Sequence, residues 1–464
     1  MNAPSYGDTA PIAAYATPLA ESALAIIRSS GKNSLEILAG VFSRPETLLS
    51  AGGNTVVHGW IMGTGRSLGE KIDEVLVSVY RAPAAYTGED GADISCHGGI
   101  AAAKAVMATL RGAGFRDALP GEFTFRAFMN GKLDLTRSES VMEMVSAKTN
   151  SAREHAVRRL SGALETEIAE LKALLVRALG GTELYLDYSE DDGVGAEESA
   201  DMLPDRPLVE NALERLRALA ASYRRERLYA DGALAVIAGR PNAGKSSLFN
   251  LLLKEDRSIV TNIPGTTRDW IEAWVSIEGI PVRLTDTAGL HPSEDPIEKL
   301  GMERSRELLE TADLVLYVLD GAQGISPEDR DFSTSAPAIL LWNKADLAPP
   351  PAGMPLRPIS AKTGAGIPEL TREIAGVLEK QFGGRPGGLP SEGSAGVGTA
   401  RQKELVDRAA AALEEALALA DTRAPLDLIA PLLREGVNSL GEITGEVSTA
   451  EVLDTMFSRF CVGK

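Results

Sequence analysis

Apolar and polar residues follow different rhythms in successive stretches of this chain. Up to about residue 132, short apolar runs such as Ala23 to Ile27 and Glu74 to Val79 alternate with turn-rich segments such as Tyr86-Thr87-Gly88-Glu89-Asp90, which predicts an α+β domain. From about Leu135 to Leu228 the texture changes to Ala, Leu, Glu and Arg. Leu160, Leu164, Ile168, Leu171, Leu174 and Leu175 recur there at three- and four-residue steps, as a helix with one buried face requires. Strand, loop and helix signals alternate from about Gly232 to Phe382, the signature of an α/β domain with a mainly parallel sheet. The Gly/Pro/Ser-rich stretch from Gly383 to Gly398 reads as a linker or mobile loop, and helical texture returns from Gln402 to Phe460. The simplest account is a multidomain α/β protein. An N-terminal α+β domain takes 1–132, an all-α domain is split into 133–230 and 401–464, and a doubly wound α/β domain at 231–383 is inserted, followed by a linker at 384–400. No tandem repeat is visible.

Composition narrows the function classes. The chain of 464 residues is 44% hydrophobic and 24% charged, ordinary for a soluble globular protein. Its longest apolar runs, such as Leu314 to Leu319, are far too short to span a bilayer. Met1 to Ala14 lacks the basic cluster and apolar core of a signal peptide. The two cysteines, Cys96 and Cys461, lack metal-ligand spacing, which fits a reducing cytoplasm better than a disulfide scaffold. Cys96 is expected as a small buried apolar residue. The net charge of −18 argues against whole-surface binding to nucleic acid. Arg224, Arg225 and Arg227 beside Tyr223 form the best local basic site, and a solvated helix end is the plainer reading.

The chemistry concentrates in the inserted domain. Gly239-Arg240-Pro241-Asn242-Ala243-Gly244-Lys245-Ser246 follows the apolar strand Leu234 to Ala238 and leads into a helix at Ser247. In that context the backbone N–H groups surround phosphates, Lys245 reaches the β/γ-phosphates and Ser246 ligates Mg²⁺. Asp286-Thr287-Ala288-Gly289 ends the strand Val282 to Thr285, placing Asp286 to hold Mg²⁺ through water and the Gly289 N–H near the γ-phosphate. Asn343-Lys344-Ala345-Asp346 ends the strand Ile339 to Trp342. Its Asp346 carboxylate accepts two N–H groups on the guanine edge, which selects GTP over ATP. Ser360-Ala361-Lys362 can offer the guanine oxygen a backbone N–H. Thr261-Asn262-Ile263-Pro264-Gly265-Thr266-Thr267-Arg268-Asp269 reads as a switch segment, with Thr267 completing the Mg²⁺ shell. These elements predict a Ras-like P-loop GTPase domain. Leu290 stands where small GTPases commonly place a water-orienting Gln, so hydrolysis needs help from Glu294, Asp295, Glu298, Arg240, Arg268 or a cation.

The remaining motifs are longer and more unusual. Gly121 to Thr136, with Tyr86 to Asp90, His97-Gly98-Gly99 and the terminal Phe457-Ser458-Arg459-Phe460-Cys461-Val462-Gly463-Lys464, resembles the bacterial tRNA modification GTPase family MnmE (TrmE) over essentially the whole chain. The resemblance implies a homodimer formed through N-terminal domains that bind 5-formyltetrahydrofolate by Arg28, Glu89, Lys132 and Lys464. Arg and Lys suit folate carboxylates, and Glu89 suits the pterin N–H edge. It also implies K⁺ held by Asn242, Thr261, Ile263 and Thr266, which would stabilise transition-state charge, and a water-orienting Glu298. Besides Glu298, the catalytic candidates are Lys245, Asp286, Arg268 and Cys461, the last with a packing role as its alternative. Finally, it implies action on tRNA with an FAD-dependent GidA/MnmG partner, adding a carboxymethylaminomethyl or aminomethyl group at C5 of the wobble uridine. The one-carbon unit would come from 5,10-methylenetetrahydrofolate. The chain departs from the family at Leu19-Ala20-Glu21-Ser22, where a Gly- and Arg-rich turn is usual, at His291-Pro292, and in its long linker. A ribosome-assembly or regulatory GTPase competes with this reading but leaves Gly121 to Thr136 unexplained. A folate enzyme whose G domain is only a dimerisation switch also competes.

Overall fold

The computed structural model describes residues 5–191, 203, 205–255, 272–286, 307–383 and 396–464. The chain divides into two compact units, Met1–Met142 with Gly441–Lys464, and Glu143–Leu440.

The first unit is built on six strands: β1 (Ile12–Tyr15), β2 (Leu24–Ser30), β3 (Thr55–Met62), β4 (Lys71–Tyr80), β5 (Gly91–His97) and β6 (Arg116–Asp117). Their order is β3-β4-β5-β2-β1-β6, antiparallel except for the β1–β6 pair. Strict alternation decides which face is covered. Val75, Val77 and Val79 of β4 are buried while Glu74 and Leu76 on either side of Val75 are exposed. The buried face packs on the helices Ser34–Ala39 and Ile100–Ala113, which supply Leu35, Leu38, Val106 and Leu110. Cys96 lies in this core, 1% exposed, as expected of a small apolar residue. Burial, with the nearby Asp73 charge, pushes its thiol up to about 11.

The last residues of the chain complete a second cluster of this unit. Phe457 and Phe460 pack with Phe125 and Leu135, and the Phe125 and Phe457 rings meet edge to face at 5.4 Å. The tail also closes the helix Glu122–Met129 at its start: Gly121 N donates to Cys461 O at 3.2 Å and Phe123 N to Lys464 O at 3.2 Å. Gly121 has φ +67°, and a Cβ there would lie 2.8 Å from Phe460 Cβ, so the approach requires glycine.

The second unit contains the helices Asn150–Leu160, Ala163–Asp191, Arg206–Ala230 and Ala400–Asp421. Leu164, Ile168, Leu171 and Leu175 are buried on one face, as their spacing predicts. Leu160 belongs instead to the preceding helix. Gly162, at φ +93°, turns the chain between the two, a left-handed geometry that ends one helix and starts another. A buried charge cluster joins three helices. Arg159 Nη1 lies 2.5 Å and His155 Nδ1 2.8 Å from Glu226 Oε2, while Arg159 Nη2 lies 2.6 Å from Glu143 Oε2. His155 also stacks on Tyr229 at 4.4 Å. Gly396–Gly398 was expected in a linker or mobile loop, yet these residues are buried here. Val397 N donates to Ser222 Oγ, and Cβ atoms at Gly396 and Gly398 would collide with Glu226 and Glu143. Residues 384–395 lie outside the described set.

The α/β portion of this unit carries β7 (Ala233–Gly239), β8 (Glu272–Ile277), β9 (Ile280–Asp286), β10 (Leu314–Asp320), β11 (Ala338–Asn343) and β12 (Arg357–Pro358). The order is β12-β11-β10-β7-β9-β8, parallel except for the β8–β9 hairpin. β10 is buried throughout and β7 nearly so, as central strands covered on both faces must be. Leu248 and Leu252 of the helix Lys245–Glu255, and Ile374 and Leu378 of the helix Ile367–Gln381, pack on Ile237, Val282 and Leu316. The strands β7, β9, β10 and β11 end together on one rim, with Gly239, Asp286, Asp320 and Asn343 as their last residues.

Candidate functional site

The rim is shaped first by glycines. Gly239 leaves β7 at φ +136°, where a Cβ would lie 2.3 Å from Val318 O. Gly244 has φ +98°, and a Cβ there would lie 2.1 Å from Asn343 Nδ2. Neither position admits another residue without displacing backbone or the buried asparagine. Asn242 adopts φ +62° between them, a conformation Asn tolerates better than most residues.

Lys245 opens the following helix and is 6% exposed, with Nζ donating to Gly239 O and Arg240 O at 2.8 Å each. Burial holds its ammonium below the usual lysine range, against the pull of Asp286. Ser246 Oγ donates to Asp286 Oδ2 at 2.8 Å, so the hydroxyl and carboxylate read as Mg²⁺ groups stand together. Asn343 bridges the loops: Nδ2 donates to Ala243 O at 2.7 Å, and Oδ1 accepts from Ala361 N at 3.0 Å. Lys344 Nζ donates to Asp320 Oδ2 at 2.7 Å and to Asn242 O at 3.2 Å. Asp346 and Lys362 are exposed, while Ser360 is buried. The structure thus brings Asn242, Ala243, Gly244, Lys245, Ser246, Asp286, Asn343, Lys344 and Ala361 into one connected constellation, with Ser247 on the exposed face of the helix start.

Thr261, Asn262, Ile263, Pro264, Gly265, Thr266, Thr267 and Arg268 lie outside the described residues, as do Thr287, Ala288, Gly289, Leu290, Glu294, Asp295 and Glu298. Arg240 is turned aside: its Nη2 donates to Gly324 O at 2.9 Å. Sequence reasoning missed Asp320. Burial raises its carboxyl, but the hydrogen bond from Lys344 and the Ala322 N–H hold it below the ordinary aspartate range. An acid closing the otherwise apolar run Leu314 to Leu319 was the available signal.

The second set of predicted residues lies in the first unit. Arg28 on β2 pairs bidentately with Asp93 on β5, at 2.8 and 3.0 Å, and its Nη1 reaches Gly463 O at 3.4 Å. That hydrogen-bonded pairing raises the Arg28 pKa despite burial. Glu89 Oε2 accepts from Ser30 Oγ at 2.9 Å and Arg126 Nη1 at 3.0 Å. Arg126 in turn donates to the fully buried Glu122, which Arg116 clamps from the other side at 2.6 and 2.7 Å. Lys132 Nζ donates to Pro83 O at 2.9 Å, and Lys464 is half-buried in the tail beside Gly463. Asp93, Arg126 and Glu122 were not anticipated as partners, although two of them lie within Gly121 to Thr136. Cys461 is exposed.

Arg224 and Arg227 are exposed on the last turns of their helix, and Arg227 lies 3.4 Å from Asp231, in keeping with a solvated helix end. A cavity of about 360 Å³ beside the same helix is lined by Glu167, Arg215, Ser222 and Arg225, so of the sequence-predicted residues only Arg225 of the basic cluster borders it. Among the described residues no helix is long and apolar enough to cross a membrane.

Family models and known proteins match this chain over nearly its whole length. The family model "MnmE helical domain" matches residues 135–461, and "GTP-binding protein TrmE N-terminus" matches residues 11–132. The tRNA modification GTPase MnmE of Treponema denticola is 41% identical, the alignment covering 99% of each chain. The protein of that name from Symbiobacterium thermophilum is 39% identical over 98% of this chain and 99% of its own.

Proposed function

From the premise that this chain belongs to the MnmE family of tRNA modification GTPases, we propose that it hydrolyses GTP in the service of modifying C5 of the wobble uridine of tRNA. The observation that carries the GTP reading is the clasp of Ser246 on Asp286 beside the buried Lys245, tied to the guanine-reading loop through Asn343. Gly239 and Gly244 hold the tight path of the loop, at φ +136° and +98° with no room for a Cβ beside Val318 O and Asn343 Nδ2.

In this reading Lys245 leaves its two backbone acceptors for the β/γ-phosphate oxygens. The loop N–H groups fix the phosphate chain, and Asp346 selects guanine by accepting its two N–H groups. Mg²⁺, held by Ser246 and Thr267 directly and by Asp286 through water, would neutralise phosphate charge. K⁺, held by Asn242, Thr261, Ile263 and Thr266, would do so where other GTPases insert an arginine. Glu298 orients the attacking water, a role open because Leu290 cannot. Arg268 stays a candidate contact to the developing charge.

The first unit would take the folate. Glu89 uses only Oε2 in its bonds to Ser30 and Arg126, which supports Oε1 as acceptor for a pterin N–H edge. Asp93 fixes the plane of Arg28, whose Nη1 makes only the long contact to Gly463 O, and Lys132 and Lys464 would add positive charge for the glutamate carboxylates. The bound folate would supply a one-carbon unit. Cys461, exposed in the tail, is the candidate thiol near it. The proposal includes a homodimer through the N-terminal domains, an FAD-dependent GidA/MnmG partner, and the division into 1–132, 133–230, 231–383, 384–400 and 401–464.

The test is nucleoside mass spectrometry of bulk tRNA from a strain lacking this protein. Absence of 5-aminomethyl-type uridines, restored by the wild type and not by Asp286→Ala, is the expected result. An unchanged profile would leave a GTPase switch without modification chemistry.

A further inference from the structure

Arg240, the second residue of the phosphate loop, is held from outside the nucleotide site. Its Nη2 donates to Gly324 O at 2.9 Å, and its Nε lies 3.0 Å from Asp329 Oδ2. Nε makes no hydrogen bond, so the second contact is an ion pair rather than an aligned bond. The Arg240 side chain is 20% exposed and that of Asp329 is fully buried, so water and salt screen the pair weakly.

Asp329 is itself fixed. Its Oδ2 accepts from Ser326 N at 2.8 Å and Ser326 Oγ at 2.9 Å, and its Oδ1 accepts from Tyr317 OH at 3.0 Å. Ser326 and Asp329 form a capping box, and Tyr317 stacks on Phe332 with centroids 4.0 Å apart. Burial and the bond to Asp329 push the Tyr317 phenol up to about 12, so it remains a donor. The carboxylate therefore has little freedom to follow a moving arginine.

The main chain of Arg240 faces the other way. Its carbonyl accepts from Lys245 Nζ at 2.8 Å and from Ala243 N at 3.3 Å. One residue thus ties the loop outward through its side chain and seats the phosphate-binding lysine through its backbone. Asn343 and Lys344 hold the far half of the loop at Ala243 O and Asn242 O, and only Arg240 among these residues reaches the 324–329 segment.

We infer that Arg240 is a positioning residue for GTP binding: anchored by Asp329 and Gly324 O, it keeps the phosphate loop arranged before nucleotide arrives. The inference rests on the GTP-binding reading of this site. A loop already in its bound form saves ordering cost on association, so the anchor acts on affinity rather than on the hydrolytic step. Loss of one charge-assisted anchor corresponds to about a tenfold change.

The test compares full-length wild type with Arg240→Ala, Arg240→Lys, Asp329→Asn and the Arg240→Ala/Asp329→Asn double variant. Titration with a fluorescent GDP analogue gives Kd, and steady-state GTP hydrolysis gives KM and kcat. Arg240→Ala is expected to raise Kd and KM about tenfold while kcat stays within about threefold, and Arg240→Lys to retain part of the affinity. Asp329→Asn should add little in the Arg240→Ala background, because Arg240→Ala already removes the ion pair that Asp329→Asn weakens. Unchanged Kd and KM in Arg240→Ala would overturn the inference. So would a large fall in kcat at unchanged Kd, which would put the guanidinium on the reacting phosphate. If Arg240→Ala fails to fold, Arg240→Lys and Asp329→Asn carry the same comparison. A wild type that binds no guanine nucleotide would instead overturn the GTP reading itself.

Discussion

Glu226→Gln keeps the volume of a buried side chain and deletes its charge, and the structure gives the size of the effect. Burial favours the neutral carboxyl, but the hydrogen bond from His155 and the charge of Arg159 outweigh it and hold Glu226 at about 2 rather than 4.5. A folded-state pKa lower than the unfolded one contributes stability above the unfolded value and loses it as pH falls towards the folded one. At about 1.4 kcal/mol per pH unit, Glu226 contributes about 3 kcal/mol at neutral pH, and less than half of that by pH 3. The side chain is only 4% exposed, so no large correction for solvent screening applies. For a cooperative unit of this size the loss is about 6 °C in Tm. Thermal melts of wild type and Glu226→Gln by far-UV circular dichroism at pH 7 and pH 3 measure both values. A difference near 6 °C at pH 7 that shrinks at pH 3 is expected. Equal differences at both pH values would show that the charge of Glu226 is not what stabilises the cluster.

Asp346→Asn should weaken guanine nucleotide binding at least about tenfold and improve binding of xanthine nucleotides, whose edge offers an acceptor in place of the amino group; competition titration with GDP and XDP checks it. Lys245→Ala should remove detectable GTP hydrolysis while leaving the melting profile near wild type, since a buried ammonium poorly solvated at rest is lost along with its phosphate contact. Gly121→Ala should destabilise the first unit by about 2 kcal/mol or more, from the positive φ and the collision with Phe460, seen as a shifted urea midpoint. Iodoacetamide at pH 8 should alkylate Cys461 and spare Cys96, whose thiol stays protonated to about pH 11; peptide mass spectrometry counts the labels.

The strand–loop–helix path through Gly239 to Ser246 was legible in the sequence because its backbone leaves few choices of residue. Gly239 and Gly244 combine positive φ with a close approach to Val318 O and Asn343 Nδ2 that leaves no room for a Cβ. The central strands were legible as apolar runs for a related reason, that β7 and β10 are covered on both faces. What stayed hidden are partnerships between residues far apart in the chain. Nothing in the local sequence around Arg159, Glu226 and Glu143 marks them as partners, and only the fold places them against each other, largely out of water. Asp93 and Arg126 were missed as partners of Arg28 and Glu89 for the same reason. Gly162 was passed over because one glycine inside a leucine pattern does not disclose its φ, and the break at Leu160 follows from that angle.

The aromatic cluster of the first unit joins Phe125 and Leu135 to Phe457 and Phe460 across about 300 intervening residues. Closing a flexible loop of that length costs about 5 kcal/mol in chain entropy, and less once the intervening segment has folded upon itself. On the ribosome, Phe125 and Leu135 emerge long before the residues that cover them. The second unit therefore has time to fold while the first still shows an oily patch, and chaperones that hold such surfaces would find it throughout most of synthesis. A chain cut short near its end would carry an intact second unit and an open first one, and cellular proteolysis should clear it for that exposed patch rather than for any loss of GTP binding.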